Sequence, residues 1–142
     1  HPKQNLILTR SDDTSAYLCD CDGDKLTRLQ HDDSVNTAIF HPEKELILTA
    51  SSDGAAHLWD FNGNQRATFP HSDWVWSAIF HSEKDLVLTV SQDGTGRLWR
   101  FFPTYEAMMA EAKRNLHVIL TRKECEQQFA DFDLTFCEGW DE

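Results

Sequence analysis

The chain repeats itself at a spacing of forty residues, and that period limits its fold more than any other feature. Residues 1–40 are followed by a second copy at 41–80 in which eighteen of forty positions are identical, and by a half-length third copy at 81–100. A fixed period of this length means stacked units of one supersecondary design, each too small to bury its apolar face alone.

Each copy parses into short strands. Leu46, Leu48 and Ala50 alternate with Ile47 and Thr49 in a nearly continuous apolar run, the pattern of a strand packed on both faces, and Ser51-Ser52-Asp53-Gly54 closes it with a tight turn. A second strand is expected over 55–61, a hairpin turn at Asn62-Gly63-Asn64, a third strand over 65–69 and a fourth over 74–80. Each period therefore holds four antiparallel strands.

With Leu58-Trp59-Asp60 and Leu98-Trp99 at one fixed point, and Val35-x-x-Ala38-Ile39-Phe40-His41-Pro42-Glu43 ahead of the first of them, residues 1–102 resemble WD40 repeats. The resemblance implies an all-β fold: a WD40-type β-propeller segment of about two and a half four-stranded antiparallel blades, starting near 1, 31 and 71. In family terms the strands read B, C, D, then A, B, C, D, then A, B, C. Closed propellers hold roughly 4 to 8 blades. The expectation is thus the C-terminal part of a larger propeller, whose remaining blades come from upstream residues or another chain.

Acidic residues outnumber basic ones by 24 to 13, a formal net charge of −11, which argues against nucleic acid or an anionic membrane as partner because both require a positive surface. No apolar run approaches the ~20 residues of a membrane span, and His1-Pro2-Lys3 opens no signal peptide, so a cytoplasmic protein is expected. Cys19, Cys21, Cys125 and Cys137 show no Cys-x-x-Cys spacing; free thiols are expected, with no metal or cofactor. Cys19 and Cys21 align with Trp59 and Phe61 and are expected to fill the core. His41 and His81 recur in a turn and are expected to be solvated.

His31, Ser51 and Asp53, and again His71, Ser91 and Asp93, have the residue types of a hydrolase set. Catalysis does not need repeating every blade, whereas a buried hydrogen-bond network does. The resemblance implies such a network, completed by Trp59 in one blade and Trp99 in the other. In the first copy Thr14 replaces the turn glycine and Cys19 the tryptophan, so that blade is expected to be the loosest.

The resemblance also implies that partners bind the top face, at the start of strand A and the B to C turn. Those positions are Ser34, Asn36, Ser52, Trp74, Trp76 and Gln92, and they differ between copies where Val35 and Val75 do not. Trp74 and Trp76, two apart on a strand, are expected to project to one side as an aromatic anchor.

After Arg100 the pattern changes. Tyr105, Met108, Met109, Ala112 and Leu116 fall at helical spacing, and Thr121-Arg122-Lys123-Glu124 forms a capping box ahead of a second helix over 122–132 that buries Cys125, Phe129 and Phe132. Residues 103–132 are thus expected to be a short helical tail, and 133–142 an acidic end. Around Leu120-Thr121-x-x-Glu124-Cys125 the tail resembles those of bacterial WD-repeat proteins with an N-terminal signalling domain.

Together these features lead to the expectation of a non-catalytic scaffold or sensor that binds a protein or peptide. The alternatives are part of a propeller hydrolase, or a purely structural segment of a multi-chain ring.

Overall fold

The computed structural model describes residues 1–104 and 106–110. The chain divides into two compact units, His1–Phe101 and Phe102–Glu142.

The first unit is ten strands in three antiparallel sheets. β1 (Leu6–Arg10), β2 (Ser15–Asp20) and β3 (Lys25–Gln30) form one; β4 (Val35–Phe40), β5 (Leu46–Ser51), β6 (Ala55–Asp60) and β7 (Gln65–Pro70) form the second; β8 (Val75–Phe80), β9 (Leu86–Ser91) and β10 (Gly96–Arg100) form the third. Registers repeat with the sequence: Leu8 faces Leu18, Leu48 faces Leu58 and Leu88 faces Leu98.

Burial follows from which sheet faces are covered. All six residues of β5 are buried, because one apolar cluster packs the first sheet onto Ile47 and a second packs the third sheet onto Leu48 and Ala50. β9 has the same alternation, with Val87 buried, yet Leu88 and Val90 on its other face are exposed. Among the described residues nothing covers that face.

Turns are set by side chains. Asp60 Oδ1 accepts the N–H groups of Asn62 and Asn64 at 3.0 and 2.9 Å, and Asp20 does the same for Asp22 and Asp24, so this repeated aspartate is a turn-former. Gly63 completes its turn at φ 85°, and a Cβ there would lie 2.8 Å from Thr27 Cγ2 of the neighbouring sheet. Thr14 holds φ 68°, where the other copies use glycine.

Several expectations are corrected. β6 ends at Asp60 and β8 begins at Val75, which leaves Phe61 and Trp74 outside the strands. Cys19 is buried in the tryptophan's place, but Cys21 is exposed, since it has left β2 for the hairpin turn. His41 is buried rather than solvated. Its Nδ1 accepts the N–H groups of Glu43 and Lys44 at 3.0 and 3.1 Å, and its ring meets Phe80 edge-on at 4.7 Å across the sheet junction. Burial, reinforced by Lys44, lowers its pKa. His81 repeats the Nδ1 bonds but is exposed, having no such neighbour.

In the second unit residues 106–110 are helical. Thr104 caps them, its Oγ1 accepting the Ala107 N–H at 3.2 Å. The rest of the expected tail, including Tyr105, Ala112, Leu116, the capping box, the 122–132 helix with Cys125, Phe129 and Phe132, and the acidic end, lies outside the described residues.

Candidate functional site

In the last blade, Trp99 Nε1–H donates to Thr89 Oγ1 at 2.8 Å, Thr89 donates to His71 Nε2 at 2.7 Å, and His71 Nδ1–H donates to Asp93 at 3.0 Å. The middle blade repeats the first two links, with Trp59 to Thr49 at 2.9 Å and Thr49 to His31 at 2.8 Å. The hydroxyl at the centre is therefore a threonine, not Ser51 or Ser91. Those serines sit one alternation further along the strand and donate to loop carbonyls instead, Ser51 to Asp33 and Ser34, Ser91 to Asp73 and Trp74. The signal for threonine is in the sequence, as Thr9, Thr49 and Thr89 occupy one position in all three copies.

The two networks end differently. Asp53 receives His57 Nε2–H at 3.1 Å, so His31 turns its Nδ1–H to the Leu29 carbonyl at 3.1 Å. Position 97, the counterpart of 57, is arginine; it donates to Asp93, which keeps its bond to His71. Burial, then the neighbouring His57, push the His31 pKa down to about 4. The neutral ring this favours is the one that can accept from Thr49. Asp93 is held well below the usual carboxylate range, first by the Thr95 hydroxyl. For Asp53 burial acts in the opposite sense, and is outweighed by His57 and the Ala55 N–H. These histidines are committed to threonines, and no Ser-His pair forms in either blade. Among the described residues no group of His, Cys, Asp and Glu could hold a metal.

A separate site lies at the end of the sheets where these loops meet. A cleft of about 350 Å³ is lined by Arg10, Asn36, Ser52, Trp74 and Trp76. Ser34 and Gln92 stand beside it without lining it: Ser34 Oγ donates to the Asp12 carbonyl at 3.2 Å, and the Gln92 N–H donates to the Trp74 carbonyl at 2.8 Å. Trp74 and Trp76 are 55% and 57% exposed. They are presented by a bulge, not by plain alternation: the β8–β9 register shifts between Val75 and Ser77, and Trp76 is the residue left unpaired. The same bulge in β4 frees Asn36, whose Nδ2 donates to Ser52 Oγ at 3.1 Å and across the sheet junction to the Val75 carbonyl at 2.9 Å. Arg10, which the sequence did not single out, enters from the first sheet, with Nη1 donating to the Val35 carbonyl at 3.3 Å.

A search of curated proteins found no match to the chain. The family model for the WD domain, G-beta repeat, matches residues 23–60 and 63–100. Each matched stretch ends on the strand bearing the Trp-Asp or Trp-Arg pair whose indole anchors a threonine and histidine network. With more than half of its residues so matched, the chain belongs to the WD40-repeat family.

Proposed function

We propose that this chain is a non-catalytic scaffold or sensor module, part of a larger propeller, which binds a protein or peptide on the face carrying Trp74 and Trp76. WD40 repeats generally mediate protein–protein interaction. The observation that carries the reading is the exposure of two tryptophans on a cleft they share with Arg10, Asn36 and Ser52, since buried interface hot spots are rich in tryptophan. The free thiols of Cys19 and Cys21 fit a cytoplasmic setting. The His31, Ser51, Asp53, Trp59 set and the His71, Ser91, Asp93, Trp99 set hold the blades together in this reading rather than acting on substrate. Trp74→Ala is the test: it should lower the affinity of a captured partner by at least ~2 kcal/mol without moving the melting temperature. Capture of an identical partner set by the wild type and the variant refutes the face assignment.

A second proposal concerns what completes the sheets. Leu88, Val90 and Leu98 are 39%, 48% and 66% exposed, while Leu48, Ala50 and Leu58, their counterparts one period earlier, are buried against the third sheet. Further blades, from the same protein or another chain, would cover this face. The 142-residue chain alone is then expected to self-associate in sedimentation; a strictly monomeric, cooperatively unfolding species refutes this.

A further inference from the structure

Three departures from the repeat converge on the cleft. Arg10 pairs with Ala16 where the other copies pair Ala50 with Ala56 and Val90 with Gly96. The position is thus apolar in two copies and cationic in one. Trp74 and Trp76 stand where the middle copy has Ser34 and Asn36. A residue that breaks its own repeat without a packing gain marks a site shaped for something other than stability. Here all three line one cavity.

Among the described residues, Arg10 is the one cation lining the cleft. The chain carries 24 acidic residues, yet among the described residues Arg10 has no carboxylate partner and spends one guanidinium N–H on the Val35 carbonyl. A guanidinium presents five donors in a planar fork suited to a carboxylate. The amide and hydroxyl of the cleft are spoken for, because Asn36 Nδ2 and Ser52 Oγ bond each other and Asn36 also holds the Val75 carbonyl, which leaves the guanidinium and the indole N–H groups, all of them donors. The unmet chemistry is therefore one cation in a cleft it shares with two indoles.

Building on the docking role proposed above, we infer that the cleft takes a peptide segment bearing a single carboxylate side chain, paired with Arg10, flanked by apolar side chains that cover Trp74 and Trp76. One carboxylate is selected over a polyacidic run by the loops that carry the lining residues. Asp12, Asp13, Asp33 and Asp73 are exposed there, within reach of a longer anionic segment at a screening length of about 8 Å. Asp33 and Asp73 keep their loops in shape by accepting the N–H groups of Ser34 and Trp74, each at 2.7 Å.

The test uses the 142-residue chain and three blocked tripeptides, acetyl-Leu-Glu-Leu-amide and its Gln and Lys analogues, followed by the indole N–H resonances of Trp74 and Trp76. The Glu peptide should bind about fivefold more tightly than the Gln peptide at low salt, and Arg10→Gln should remove that preference while leaving the melting temperature unchanged. Equal binding of all three, lost in Trp74→Ala, overturns the carboxylate assignment and leaves the docking face standing. Tightest binding of the Lys peptide overturns it too, by showing that the acidic loops dominate. A Glu preference that survives Arg10→Gln places the cation elsewhere and has the same effect. No Trp74-dependent shift with any peptide removes both the carboxylate assignment and the docking face.

Discussion

One isosteric exchange, threonine to valine, should have opposite effects at two positions in the middle blade. Thr49 Oγ1 accepts from Trp59 Nε1 and donates to His31 Nε2, and Trp59, Thr49 and His31 are all buried. Valine fills the same volume and leaves an indole donor and an imidazole acceptor with no partner and no water. Each orphaned group costs about 1–3 kcal/mol, so Thr49→Val should destabilise the chain by about 2–6 kcal/mol. For a domain of roughly a hundred residues that lowers the melting temperature by about 10 °C or more. Thr37 is the reverse case, since its Oγ1 is buried with no hydrogen-bond partner. Thr37→Val removes an existing penalty and should be neutral or stabilising by about 1 kcal/mol. Urea unfolding followed by circular dichroism measures both. A Thr49→Val midpoint indistinguishable from wild type, or equal losses at the two sites, refutes the assignment of Thr49 as the centre of the network.

Stability should also fall with mild acid. The unfolded chain protonates His31 near 6.5 whereas the fold holds it neutral to about 4, so the contribution is complete above about pH 7 and lost as pH drops through that window, about 3 kcal/mol in all. Asp53 and Asp93, with lowered pKa values, hold their contributions until pH falls below the ordinary carboxylate value of 3.8 and do not share the window. His31→Gln should reduce the pH slope of the urea midpoint between pH 7 and 5, leaving the smaller part that His41, whose pKa is also lowered by burial, contributes; an unchanged slope refutes this. Gly63→Ala should cost more than ~1 kcal/mol, because it combines a left-handed φ with a 2.8 Å approach to Thr27. An equilibrium stability equal to wild type would show that the junction yields.

What could be read beforehand followed from periodicity. The forty-residue offset and the alternation in Leu46–Ser51 specify strands, turns and sheet order, because each blade obeys local rules of pleat and turn. In the structure the hydroxyl that the indole reaches lies two residues before the serine. Ser51 and Thr49 lie on the same side of β5, and only the register of β6, which brings Trp59 opposite Ile47, decides which hydroxyl the indole reaches. The burial of His41 is hidden from the sequence for a related reason, since it comes from Phe80, a residue of the next sheet. Arg10 shows the same limit, being an ordinary surface residue in its own blade that joins a cleft only through side chains one and two blades away.

The sheet junctions have a consequence for how the unit comes apart. Ties such as Lys3 to Glu43, Gln4 to Glu45, Thr27 to the Phe61 carbonyl and Lys44 to Asp85 all join a sheet to the next one. Among the described residues, the strands of the first and third sheets make no extended contact. Cohesion is then a nearest-neighbour sum, as in a one-dimensional lattice, and amide exchange should run as a gradient: fastest in the two flanking sheets and slowest in β5 and β6. A ligand lodged between Arg10 and Trp74 would be a second-neighbour coupling that the polypeptide lacks. It would slow exchange in both flanking sheets together, and so turn a row of independent partners into a single cooperative body.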